Sequence, residues 1–321
     1  MKNAPEHEKS TRNASSMKLL SALALVGICG VSPVWATPLL GPDLASFTVL
    51  GATTVTNVSP STIVGNVGVW SSGGANAITG FLSNPGVPAS DPQVTAGLVH
   101  AGTTSGTPNA MQAQAELTTA RNNLASLGQG TVLGLADLIG LTLYPGVYTV
   151  QAGTTNLSGA LTLDGQGNAN AAWVFQMDST LITSPNSVVN VVNTGAGAGV
   201  YWNVASSATI DVNTTFMGNI LALTSISILD FSTDVCGRAL ADTGAVTLIQ
   251  NSLSGICTGA LAGSNGLSGG LDVTSTPSGP DVVTFLPYAP VNGGGTVPEP
   301  ATLALLGLGL LGLGFSRRRH G

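Results

Sequence analysis

The chain has 321 residues, of which only 7% are charged, and a formal net charge of −6 at pH 7. Between Thr37 and Pro298 two cations, Arg121 and Arg238, stand against twelve carboxylates with no lysine, a net charge of −10. That balance excludes nucleic-acid binding, which needs clustered Lys and Arg. The recurring Val, Leu, Ile and aromatic residues exclude disorder, and about 260 residues suffice for one substantial domain with a tail.

In chain order, Met17-Lys18, the apolar run 19–31 and the small-residue pattern Val34-Trp35-Ala36 read as a secretory signal peptide cleaved before Thr37. Because that signal is complete from Met17, residues 1–16 read as a mis-assigned start, and 1–36 as extension plus signal. Cys29 leaves with the signal, and the preceding Ile28 argues against a lipid-attachment site. Residues 47–57 and 62–71 read as strands around a turn at 58–61. The irregular stretch 73–106 reads as an insertion capping one end of a strand stack.

A helix is expected over 108–127, with Thr107 as N-cap and Pro108 in the first position. Ala113, Leu117, Ala120, Leu124 and Leu127 form its apolar stripe and Gly128 its stop. Beyond Gly140 the segment Val147-Tyr148-Thr149-Val150 is echoed by Val174-Phe175-Gln176-Met177 and again by Tyr201-Trp202-Asn203-Val204, each time twenty-seven residues on. A fixed period of short alternating strands predicts an all-β solenoid whose coils bury their inner faces only by stacking. Three strands per coil, at 146–150, 155–158 and 160–163 and then at 173–177, 180–183 and 188–192, imply a triangular cross-section. The domain expected is 37–254, followed by a Gly/Ser/Pro-rich linker over 255–296.

Cys236 and Cys257 are an even pair in an exported chain, hence a disulfide candidate. Their separation is about one coil, and stacked strands lie ~4.8 Å apart, within disulfide range. Two buried free thiols are the alternative.

The blocks running from Phe47 through Thr54 and Thr56 to Asn57, then Leu143-Tyr144-Pro145-Gly146-Val147-Tyr148, Phe216-Met217-Gly218-Asn219-Ile220-Leu221-Ala222 and Gly237-Arg238-Ala239-Leu240-Ala241, closely resemble, in this order, the bacterial and fungal ice-binding protein family. The resemblance spans about 40–252. It implies a right-handed, triangular, discontinuous β-solenoid with one long α-helix packed alongside, and adsorption to ice with inhibition of its growth or recrystallisation. At the other end, Val297-Pro298-Glu299-Pro300, the apolar run 301–315 and Arg317-Arg318-Arg319 resemble a PEP-CTERM sorting signal over 297–321. That resemblance implies processing by an exosortase-type transpeptidase and export to the surface of a bacterium that makes exopolysaccharide. Fifteen apolar residues reach only ~22 Å, which suits a transient anchor better than a permanent one.

Taking the second strand of each coil as one face, alternation turns Leu157, Leu181, Ile210, Ile226, Ile228, Val246 and Leu248 inward. The outward set is Asn156, Ser158, Thr180, Ile182, Thr209, Asp211, Ser225, Ser227, Ala245 and Thr247, with Thr54 and Thr56 from the first coils. The resemblance assigns ice contact to this face. Ile182 and Asp211 interrupt the row, and no regular Thr-x-Thr column stands out, so moderate activity is expected. Catalysis is not expected: His100 is the only histidine between the two terminal signals and has no nucleophile or orienting partner beside it in sequence. Asp164 and Asp178 suit coil corners, and a single Gly269-Gly270-Leu271-Asp272 is too little for a calcium repeat, so neither cofactor nor metal is expected. The rival reading is an exopolysaccharide-associated structural or adhesive surface protein.

Overall fold

The computed structural model describes residues 36–71, 77–276 and 279–291. Apart from Ala36, the signal-peptide and sorting-signal readings fall outside these residues. The described chain is built around three ladders of short parallel strands, through which it passes in fixed rotation. The first ladder holds Gly146–Val150, Ala172–Met177, Gly199–Val204 and the later halves of Thr215–Ala222 and Thr233–Ala241. The second holds Leu181–Ile182, Ala208–Ile210, Ile226–Ile228 and Val246–Ile249. The third holds Thr142–Leu143, Ala160–Asn168, Val188–Thr194 and Ser252–Ser254, linked through Thr215 and Thr233.

The N-terminal strands extend all three ladders at the far end. Val49 pairs with Ala239, Val55 with Val246, and Thr62 with Ser252. The twenty-seven-residue echo becomes a column, since Tyr148 pairs with Phe175 and Phe175 with Trp202. The rings of Phe175 and Trp202 stack at 4.0 Å, with Phe216 continuing the column at 5.1 Å. Such pairs add about 1 kcal/mol each beyond the area they bury. Inward residues of the second ladder, including Leu181, Ile210, Ile226, Ile228, Val246 and Leu248, join the same core at 1% exposure or less.

The stretch 73–106 departs from its expected role as an irregular cap. It places Ile78–Thr79, Val94–Thr95 and Val99–Ala101 on the second, third and first ladders. Strands of two or three residues leave too little alternation to be seen in sequence. The excursion between them is closed by Asp91, whose carboxylate accepts from the amides of Leu82 and Gln93 at 2.6 and 2.7 Å.

The helix runs Ala110–Ser126, and its N-cap is Asn109 rather than Thr107; Asn109 Oδ1 accepts from the Gln112 amide at 2.8 Å. Tertiary contacts set this start, because Asp43 accepts from the Asn109 amide and Thr103 Oγ1 from the Ala110 amide. The helix lies against the first ladder. Gln114 donates to the Asp242 carbonyl, Gln176 donates to the Leu124 carbonyl, and Arg121 pairs with Asp242 at 2.9 Å.

Residues 255–276 and 279–291 are folded, contrary to the linker reading. Leu271–Thr274 forms the centre of an antiparallel sheet between Ala36–Pro38 and Val282–Phe285. Leu261, Leu267, Leu271 and Val273 are buried, and the Leu267 carbonyl accepts from the Val200 amide. Composition concealed this because a few anchoring leucines, spaced by Gly and Ser, hold the segment across several layers. Cys236 and Cys257 are joined, with Cα atoms 4.7 Å apart, tying this segment to the last coil.

Candidate functional site

The second ladder presents two outward columns across six layers. One reads Ile182, Thr209, Ser227, Thr247, Thr56 and Thr79, each paired in register with the next. The other reads Thr180, Ser207, Ser225, Ala245, Thr54 and Ala77, aligned by the backbone bonds from Leu181 to Ser207, Ala208 to Ser225, Ile226 to Ala245, Val246 to Thr54 and Val55 to Ala77. Five of the six strands thus carry a small residue or Thr, an inward apolar residue, and then Thr or Ser. Layers spaced by ~4.8 Å and side chains two residues apart make this array roughly 24 Å by 7 Å.

The two columns differ in what their hydroxyls do. Ser207 Oγ lies 2.6 Å from Thr224 Oγ1 and accepts from the Ser225 amide, while Ser225 Oγ accepts from the Ala245 amide at 3.1 Å. Those serines brace the loop edge. The hydroxyls of Thr56, Thr79, Thr209, Ser227 and Thr247 bond to no protein group among the described residues. They are half-buried or exposed at the surface, with their full hydrogen-bonding capacity left to water.

Of the outward residues expected from sequence, Thr54, Thr56, Thr180, Thr209, Ser225, Ser227, Ala245 and Thr247 fall in these columns. Asn156 does not. It is fully buried, where its Oδ1 accepts from the Ile182 amide at 3.0 Å and its amide reaches the carbonyls of Ala136 and Gln151. At the end of the ladder this side chain stands in for a missing strand. Ser158 is exposed but out of the columns, because Leu157 bridges Thr183 rather than Leu181, and its hydroxyl is held by Asp137. Asp211 lies one row aside and leaves the Thr column unbroken. Sequence reasoning missed Ser207, Ala77 and Thr79; the Ser207-Ala208-Thr209 and Ala77-Ile78-Thr79 triplets were the available signal.

The other two faces are less regular. The helix and the antiparallel sheet cover much of the first ladder, burying Ala113, Leu117, Leu124, Leu271 and Val273 against Phe47, Leu50, Val174, Tyr201 and Leu240. The third ladder is broken by register shifts beside Asp164 and Phe216, and exposes Tyr144, Val192 and Val235.

Among the buried ionisable groups that lie apart from the array are His100 and Asp234. His100 sits edge-on to Phe47 at 5.2 Å with Nε2 3.2 Å from Asn66 Oδ1, and its Nδ1 has no partner among the described residues. Burial pushes its pKa down to about 4. Below the ordinary histidine pKa of about 6.5 the unfolded chain takes up a proton that the buried imidazole does not, so stability is lost as pH falls from about 6.5 toward 4. Asp234 acts oppositely. Burial pushes its carboxyl up to about 8, partly offset by the Cys236 amide and Arg238, so its contribution falls as pH rises from about 4 through 8. His100→Gln isolates the first effect: between pH 6.5 and 4.5 the variant should lose about 2 kcal/mol less stability than the parent in urea titrations. Equal losses would remove His100 as the cause.

A recess of about 570 Å³ beside the antiparallel sheet, lined by Leu40, Ala45, Asn265, Leu271, Asp272 and Leu286 among others, holds one carboxylate and no histidine, cysteine or cation. No group of three or more His, Cys, Asp or Glu that could hold a metal ion occurs among the described residues.

Comparison with known proteins follows the same lines. The profile of the Ice-binding-like family matches residues 49–254, and that of the PEP-CTERM protein-sorting motif matches residues 296–319. The chain is 39% identical over 277 residues to an ice-binding protein of Nostoc sp. strain HG1, covering 86% of this chain and 85% of that one. It is 32% identical to ice-binding protein K3-B1 of Typhula ishikariensis over 67% of this chain and 88% of that one. The crystal structure of an ice-binding protein from the Antarctic ascomycete Antarctomyces psychrotrophicus superposes with a TM-score of 0.58 at 33% identity, covering 68% of this chain and 98% of that one. With the family profile spanning most of the three-ladder domain, the chain belongs to the Ice-binding-like family.

Proposed function

We propose that the protein binds ice through the outward face of the second ladder. The observation that carries this is the in-register column Thr209, Ser227, Thr247, Thr56 and Thr79, whose hydroxyls have no protein partner among the described residues, on an array free of Lys and Arg. Side chains of this kind, fixed at regular spacing by the backbone, can order a water layer that merges with an ice surface. No contact need be strong, because many weak water-mediated contacts act together. Ile182 closing the column at one end, and Ala245 and Ala77 in its neighbour, favour moderate activity.

The finer architecture belongs to the same reading. Three parallel ladders visited in rotation support a triangular β-solenoid, and parallel crossovers favour the right-handed form. The protein acts by adsorption rather than catalysis, on the exported side of the cell. Residues 1–36 serve as extension and signal, and residues 297–321 as a transient anchor removed by an exosortase-type enzyme. No feature of the described residues favours the exopolysaccharide-associated structural reading over this one.

Ice-affinity uptake of residues 37–296 tests the proposal. Enrichment in a slowly grown ice fraction is expected; uptake no greater than that of an unrelated acidic protein of similar size overturns it.

A further inference from the structure

Four turns from the second ladder into the third, those of the C-terminal coils, pass through a residue in the left-handed region. These are Asn186 at φ 63°, Asn213 at 56°, Phe231 at 57° and Gln250 at 50°. Asn enters this region readily because its short polar side chain can bond locally, whereas a bulky side chain crowds the following carbonyl oxygen. Phe231 is also 63% exposed, so burial does not offset the strain. An aromatic ring held at a corner where the layer on one side uses Asn213 and the layer on the other Gln250 is poorly explained by folding alone.

Inside that corner the third outward row of the second ladder turns apolar. Ile249 pairs with Val58, and the Leu229 amide bonds the Ile210 carbonyl, which sets Leu229 beside Asp211 on one side and Ile249 on the other. Val58 is 48% exposed, and Leu229 and Ile249 are half-buried. This row runs directly alongside Ser227, Thr247 and Thr56 in the same strands.

We infer that Phe231, with Leu229, Ile249 and Val58, forms an apolar margin of the ice-contacting face and contributes directly to adsorption, an inference that rests on the ice-binding reading above. The margin leaves liquid water when the face meets ice, and it keeps bulk water from competing for the adjoining hydroxyls. The strained backbone at Phe231 is the cost of keeping the ring at that edge. The partner is the ice surface itself, because the apolar row is continuous with the unpaired Thr and Ser column.

The test compares the full chain with its Phe231→Asn variant in ice-affinity uptake, thermal unfolding and sedimentation. Asn suits the left-handed conformation, so Tm should be unchanged or raised by roughly 2–4 °C while uptake falls several-fold. Uptake equal to that of the parent overturns the inference, whether or not the oligomeric state changes. A lower Tm in the variant overturns the strain on which it stands. A parent that does not enter ice overturns the ice-binding reading instead, so the two failures are distinct.

Discussion

Thr209→Tyr combined with Thr247→Tyr should reduce ice uptake by about tenfold or more, with Tm shifted by no more than ~2 °C. Both threonines lie in one column, separated only by Ser227, and their hydroxyls contact no protein group among the described residues. Substitution there removes no internal hydrogen bond and opens no cavity, so stability should change within about 0.5 kcal/mol. Adsorption is different. Two rings standing above a flat array hold the remaining side chains away from the surface, and contacts that are individually weak are lost together. Ice-affinity uptake and thermal unfolding of the same preparation decide the matter. Full uptake with unchanged Tm would assign ice contact to another face.

Arg238→Met should act on the scaffold and spare the face. Arg238 is 1% exposed and donates to Asn219 Oδ1, to the carbonyls of Asn265, Gly266 and Ala45, and to Asn265 Oδ1. It therefore ties an inner layer to the N-terminal segment and to the folded stretch after Cys257. Its removal leaves those acceptors unpaired and deprives the buried Asp234 of a neighbouring cation. A loss of about 3–5 kcal/mol is expected, and a fall in Tm of roughly 10 °C for a domain this size. Below the new Tm, uptake per folded molecule should match the parent, because none of the hydrogen-bond partners of Arg238 belongs to the second-ladder columns. A near-normal Tm would mean that the hydrophobic replacement packs as well as the guanidinium bonded.

Legibility of the site followed the strength of local alternation. Thr54-Val55-Thr56, Ser225-Ile226-Ser227 and Ala245-Val246-Thr247 each show their outward residues in three letters, and the structure turns them outward. Asn156 fits the same local pattern, yet it is consumed in closing the ladder end, where no further strand supplies backbone partners. Ala77-Ile78-Thr79 escaped notice because it is embedded in a Gly- and Asn-rich stretch that masks a two-residue strand. The family resemblance, rather than alternation, first singled out this face among the three.

By itself the sequence determined what repeats over short range: the period of the coils, the inward apolar set, the presence of one helix and the absence of a cationic surface. These follow from side-chain spacing and charge, which need no partner to be read. The tertiary structure decided how layers from distant parts of the chain meet. Val55 against Val246 brings Thr56 beside Thr247, and only that junction extends four layers of Thr and Ser into six. It also decided that residues 255–276 and 279–291 fold, and that Asn109 rather than Thr107 starts the helix. Register between strands nearly two hundred residues apart is set by which inner faces pack, and one residue of slip would turn every hydroxyl of the column inward.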